Sequence, residues 1–137
     1  MQILNVYTDG GSRGNPGPSS IGVVFEDEVG SLIWQKNQAI GNATNNEAEY
    51  QALIYAMKHV NRYHPEKIVF HSDSELMIRQ MKGEYKIKEP EIQQLFLEAW
   101  NRKIDLNNVE FVLIPREQNR KADALVNKIL NQTNLEI

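Results

Sequence analysis

The chain has 137 residues, 41% of them apolar, enough for one domain with its own core. It has no cysteine, which excludes a disulfide framework and a thiolate metal site, and no apolar run nears the roughly 18 residues of a membrane span. The net charge of −3 argues against a generic nucleic-acid binder, but residues 1–57 carry two basic and six acidic side chains and the rest thirteen and twelve. These features set the expectation of a cytoplasmic monomer with no membrane association.

In chain order, residues 3–8 read as a strand that ends against Asp9. A loop with glycines at 10, 11, 14 and 17 follows. Residues 21–26 and 31–40 read as two further strands joined by the turn 27–30, a hairpin. The polar cluster A43-T-N-N-E47 suits a helix start, and 46–63 has helical period, with Leu53, Ala56, Met57 and Val60 on one stripe. A short apolar run, 67–71, reads as a buried strand. Helices are expected over 74–81 and from 89 or 90 to about 103, with Pro90 in the first turn. Residues 109–114 form a strand and 118 to about 131 a last helix. The domain is thus expected over 1–131, with 132–137 a loose tail. The order β-β-β-α-β-α-α-β-α predicts an α/β fold: a five-stranded mixed sheet whose first three strands form an antiparallel meander, flanked by helices.

Position selects four of the eighteen acids. Asp9 and Asp73 each follow a strand, where sites gather outside carboxyl ends, and adjacent first and fourth strands would set them side by side. Glu49 precedes Leu53, Ala56 and Val60 by 4, 7 and 11, so it heads the inward stripe while Glu47 points away. Asp123 similarly heads Val126 and Leu130. Any one of these alone suits a turn acid, a cap or a dipole residue. Together, four inward carboxylates repel unless cations neutralise them. Oxygen-only donors point to a hard ion, Mg2+ or Mn2+. Two such ions about 3.5–4 Å apart are the usual arrangement for phosphodiester hydrolysis, and two divalent charges would carry the net charge from −3 to +1.

The segments Y7-T-D-G-G-S-R-G-N-P-G17, T44-N-N-E-A-E49, S72-D-S74 and N119-R-K-A-D123-A-L125 resemble those of type 1 ribonuclease H, in order and spacing, over about residues 3–130. The resemblance implies the ribonuclease H-like fold, strand order 3-2-1-4-5, and endonucleolytic cleavage of the RNA strand of RNA/DNA hybrids, leaving 5′-phosphate and 3′-hydroxyl ends. It implies Asp9, Glu49, Asp73 and Asp123 as catalytic, metal-binding acids. One ion would lie between Asp9 and Asp123, the other among Asp9, Glu49 and Asp73. Substrate contacts are expected from Gly10, Gly11, Ser12, Arg13, Asn15, Thr44, Asn45, Asn46 and Ser74. The loop glycines would let the backbone bend and approach nucleic acid closely. The amides of Asn15, Asn45 and Asn46 suit a 2′-hydroxyl, Thr44 matches a position on a DNA-strand phosphate, and Asn45 and Asn46 equally suit a helix cap.

The chain departs from many bacterial members in three ways. The stretch I114-P-R-E-Q-N119 lacks their loop histidine, leaving Arg116, Glu117 and Asn119 as auxiliary candidates. Glu75 stands where the pattern has an amide. The basic protrusion is missing, with Lys82, Tyr85, Lys86 and Lys88 as substitutes. The compact form is similar to archaeal-type members, some of which also cut double-stranded RNA. Trp34, Trp100 and the three histidines are expected to be structural or surface residues. The alternative reading is a catalytically weak nucleic-acid-binding module of the same fold; another polynucleotide processor on this scaffold is a third.

Overall fold

The computed structural model describes residues 1–135; residues 136 and 137, the end of the expected tail, lie outside the described residues. The five strands are β1 (Ile3–Ser12), β2 (Gly17–Glu26), β3 (Leu32–Ala43), β4 (Lys67–Ser72) and β5 (Val109–Leu113). They form one sheet of order β3-β2-β1-β4-β5. Strands β1 to β3 are antiparallel, while β4 pairs parallel to both β1 and β5, as predicted. The helices are α1 (Asn45–Met57), α2 (Glu75–Met81), α3 (Pro90–Ile104) and α4 (Arg120–Leu135).

The main core lies between the sheet and α1 to α3, where Leu4, Val6, Phe25, Tyr50, Leu53 and Phe70 are buried. Helix α1 is buried on most sides, and its Tyr50 hydroxyl hydrogen-bonds Gln80 of α2 at 2.5 Å. Trp34 and Trp100 are partly buried against this core, as expected. Helix α4 covers the opposite face with Ala122, Val126 and Leu130.

Several boundaries differ from the sequence reading. Strand β1 does not stop at Asp9. Its parallel pairing with β4 ends at Tyr7 and His71, but its antiparallel pairing with β2 continues to Ser12 and Ser19. Strand β2 starts at Gly17 because buried Ser19 and Ser20 satisfy their hydroxyls on the carbonyls of Ala43 and Val126 at 3.0 and 2.8 Å. A polar stretch thereby fits inside a sheet. Helix α1 ends at Met57, and Val60–Tyr63 is a separate 3₁₀ turn, because His64 must turn left-handed (φ 47°) before Pro65. Helix α4 follows a 3₁₀ turn at Arg116–Gln118 and runs through Leu135, past the expected stop at 131. Residues 120–135 contain neither glycine nor proline, so nothing local ends the helix there.

Candidate active site

Two glycines bring two helices onto the carboxyl end of β1. A Cβ on Gly10 would sit 2.3 Å from the carbonyl carbon of Ala48 and 2.5 Å from the nitrogen of Glu49, so only glycine lets the start of α1 lie against the strand. The Gly10 N–H then donates to Glu49 Oε1 at 2.8 Å. Gly22, directly across β1 and β2 from Asp9, does the same for α4. A Cβ there would meet the carbonyl oxygen of Ala122 at 2.4 Å, and Asp123 is the next residue. The Gly10 N–H and Gly22 contacts therefore act within the protein. The expected bend of the loop covers residues 13–16, with positive φ at Gly14 (103°) and Asn15 (38°).

Asp9 is buried, and Glu49 and Asp73 are half-buried; one carboxylate oxygen of each lies within 4.8 Å of the others. Asp123 stands beside Asp9, close enough for a carboxyl–carboxylate hydrogen bond. Burial, then the charges of Asp73 and Asp123, push the Asp9 carboxyl up to about 8. Glu49 exposes part of its surface, but its carboxyl group is enclosed. Desolvation first, and then Asp9 and Asp73, raise it well above the usual carboxylate range. None of the four acids forms an ion pair among the described residues. Unneutralised carboxylates on oxygen donors alone fit a hard divalent cation.

Neighbouring amides hold the acids in place. Buried Asn119 donates its side-chain NH2 to the Thr8 carbonyl at 2.9 Å and, more weakly, to Asp73 Oδ1 at 3.4 Å, while its backbone carbonyl accepts the Asp123 N–H at 3.1 Å. Asn127 donates to Asp123 Oδ2 at 3.2 Å. Sequence reading passed over Asn127, although its spacing of four from Asp123 places both on one helix face.

The acids open into a cleft of about 880 Å³, walled by Gly10 to Arg13, Asn45, Glu75, the segment 113–116, and Asn127. Arg13 reaches across to Asn131 Oδ1 at 2.7 Å. The loop is tied to α1: Ser12 N–H donates to Asn45 Oδ1 at 2.9 Å, and Asn45 N–H donates to Asn15 Oδ1 at 2.8 Å. Thr44 is the α1 N-cap, in a reciprocal capping box with Glu47, which explains why Glu47 turns away from the acids.

Other expected contacts lie elsewhere. Asn46 sits half-buried in the first turn of α1 and does not line the cleft. Ser74 is the α2 N-cap, its Oγ accepting from Met77 N–H at 3.4 Å. Glu75 does line the cleft, and pairs with Arg79. Arg116 lines it too, whereas exposed Lys86 does not, and Lys88 borders a separate small cavity beside Ile92.

The family described as reverse transcriptase-like matches residues 7–129. A bifunctional protein of Mycobacterium tuberculosis is 35% identical over 96% of this chain, which spans 36% of that protein's length. The crystal structure of RNase H1 from Halobacterium salinarum superposes with a TM-score of 0.91 at 33% identity, covering 95% of this chain and 98% of that one. LC11-RNase H1, solved in complex with an RNA/DNA hybrid, gives 0.87 at 44% identity, covering 91% and 94%. The sheet order, the helix positions and these likenesses agree, and the chain belongs to the reverse transcriptase-like family as a type 1 ribonuclease H domain.

Proposed function

We propose that the domain hydrolyses the RNA strand of RNA/DNA hybrids endonucleolytically, leaving 5′-phosphate and 3′-hydroxyl ends. The observation that carries this is the convergence of Asp9, Glu49 and Asp73 within 4.8 Å, with Asp123 alongside, at the floor of an open cleft. The names of the ribonuclease H relatives and the hybrid bound to LC11-RNase H1 support the substrate class.

Asp9, Glu49, Asp73 and Asp123 would hold divalent ions, Mg2+ or in its place Mn2+, and the reading takes two, with Asp9 shared. Bound there, such ions make water nucleophilic and neutralise charge on the phosphodiester. The chain's own groups do the rest. The Gly10 N–H, Asn119 and Asn127 fix the acids. Arg13 and Arg116 bring positive charge to the cleft for phosphate oxygens. The Asn15 and Asn45 side-chain oxygens already accept backbone N–H groups, which leaves their NH2 groups to donate to a phosphate or a 2′-hydroxyl. The Thr44 Oγ accepts within the cap and keeps its hydrogen for a DNA-strand phosphate. The cysteine-free composition suits a cytoplasmic setting.

End-labelled hybrid, double-stranded RNA and double-stranded DNA of one sequence, incubated with Mg2+ or Mn2+, test the reading. Cutting of the hybrid's RNA strand, abolished by Asp9→Asn, is expected. Cutting of double-stranded RNA as well would extend the substrate range, as in some compact members. Intact hybrid with either metal would overturn the hydrolase reading.

A further inference from the structure

Among the described residues that line the cleft, Glu75 is the one carboxylate besides the four acids, and it stands two residues after Asp73. The segment between them is firmly held. The Oγ of buried Ser72 accepts the Ser74 N–H at 3.0 Å, and Ser74 caps α2, so Glu75 is the first residue of the helix. Its side chain is 59% exposed, within reach of a substrate. The Arg79 guanidinium lies 3.4 Å from Glu75 Oε2. Arg79 is itself tied to Glu84 at 2.9 Å and lies over the Tyr85 ring, 5.6 Å from its centroid. The pairing orients the carboxylate through one oxygen and leaves Oε1 available.

An extra negative charge in a nucleic-acid cleft repels phosphate, so what it can recognise is narrow. A carboxylate accepts hydrogen bonds and donates none. An enzyme that tells RNA from DNA must meet the 2′-hydroxyls, which line the wide minor groove of an A-form duplex. The base edges beside the cut are therefore minor-groove edges. Every base pair shows acceptors there, purine N3 and pyrimidine O2, and the guanine N2 amino group is the one base donor. An amide at position 75 would suit either kind of edge. The Glu75 carboxylate is repelled by the acceptors and satisfied by the guanine amino group.

Two residues of chain span at most about 7 Å, about two duplex steps of roughly 3.4 Å. A scissile phosphate held at Asp73 thus has Glu75 within about two base pairs of it. We propose that Glu75 is a specificity residue that accepts a hydrogen bond from the N2 amino group of a guanine in the RNA strand, so that cutting is directed to a fixed distance from guanine. This rests on the hydrolase reading for the reaction and adds a claim about sequence. Arg79 is the positioning residue behind it.

The test maps cleavage with Mg2+ on end-labelled hybrids whose RNA strand holds A and U with a single central guanosine. In matched hybrids inosine, which lacks the N2 amino group, replaces that guanosine. Wild type should concentrate its cuts at one distance from the guanosine, about 10-fold above the same position in the inosine hybrid, the low end for a hydrogen bond to a charged group. Glu75→Ala should bring that ratio to about 1, and Glu75→Gln, which keeps a neutral acceptor, to about 3. Comparing ratios between proteins cancels the weaker pairing of inosine itself. A third hybrid with 2′-fluoro at the guanosine separates the other donor within reach, the 2′-hydroxyl. Equal guanosine-to-inosine ratios in wild type and Glu75→Ala overturn the proposal, as does a Glu75 effect that follows the 2′-fluoro and not the inosine. Cutting that ignores guanine sinks this proposal alone, whereas intact hybrids throughout sink the hydrolase reading and this one with it.

Discussion

The backbone N–H of Gly10 donates to Glu49 Oε1 at 2.8 Å, so a helix carboxylate is fastened to the strand residue next to Asp9. The bond exists because Gly10 has no side chain where the Ala48 carbonyl and Glu49 nitrogen pass, 2.3 and 2.5 Å from an ideal Cβ. Those atoms are backbone, so they cannot swing aside. Gly10→Ala should displace the first turn of α1 at a cost of about 2–3 kcal/mol, and loosen divalent-metal affinity roughly 10–100-fold through the misplaced Glu49. Thermal melting and calorimetric Mg2+ titration check both. Wild-type metal affinity in a folded Gly10→Ala protein would show that the close approach is not what positions Glu49.

Asp9→Asn should have opposite effects on activity and stability. Without metal, the Asp9 carboxyl is pushed up to about 8 in the folded chain, whereas it ionises near 4 when unfolded. Between those values the folded state holds a proton that the unfolded state does not. Its stability therefore falls as pH rises through this window. Asparagine removes the penalty, so the metal-free variant should be more stable than wild type at pH 8.5 and equal to it near pH 4. Melting curves in chelator across that range decide the sign. Activity should fall at least about 1000-fold.

The same repulsion sets how the protein responds to cations. Divalent ions need the acids ionised, so the melting temperature gained from Mg2+ or Mn2+ should grow from pH 5 to pH 9. Saturation at about 100 times the dissociation constant contributes about 2.7 kcal/mol. Glu49→Gln should remove most of this gain. A gain independent of pH would mean that the ions bind outside the acid cluster.

The strand order and the four acids were legible because each rests on a pattern that sequence carries openly. Asp9 and Asp73 follow apolar runs, and Glu49 and Asp123 head inward helical stripes ending in residues such as Leu53 and Leu130, both buried. The contributions of Gly22, Asn127 and Ser20 were not legible, because each acts on a residue far away in the chain or on another element. Gly22 matters only because Ala122 crosses it, and Ser20 only because the Val126 carbonyl takes its hydroxyl. Likewise Asn45 offers its oxygen to Ser12, a partner 33 residues away. Such pairings are properties of the packed fold. The early stop expected for α4 differs for another reason: residues 132–135 are mostly polar but carry no outright helix breaker, so the helix runs on through Leu135.

Asn119 and Asn127 both touch the acids, yet their removal should differ in kind. Asn119 is 1% exposed and its amide serves the Thr8 carbonyl as well as Asp73. Asn119→Ala would strand that carbonyl in the interior, costing about 1–3 kcal/mol, and would release Asp73. Asn127 is half-buried and serves Asp123 alone among the described side-chain bonds. Asn127→Ala should leave stability within about 0.5 kcal/mol while weakening metal affinity roughly 10-fold. Asn127→Asp should instead lower the stability of the metal-free protein, because it adds a like charge four residues from Asp123. Melting temperatures alongside metal titrations separate the two cases. Equal stability losses for Asn119→Ala and Asn127→Ala would show that the Thr8 carbonyl finds another donor, and that the two amides differ only in which acid they hold.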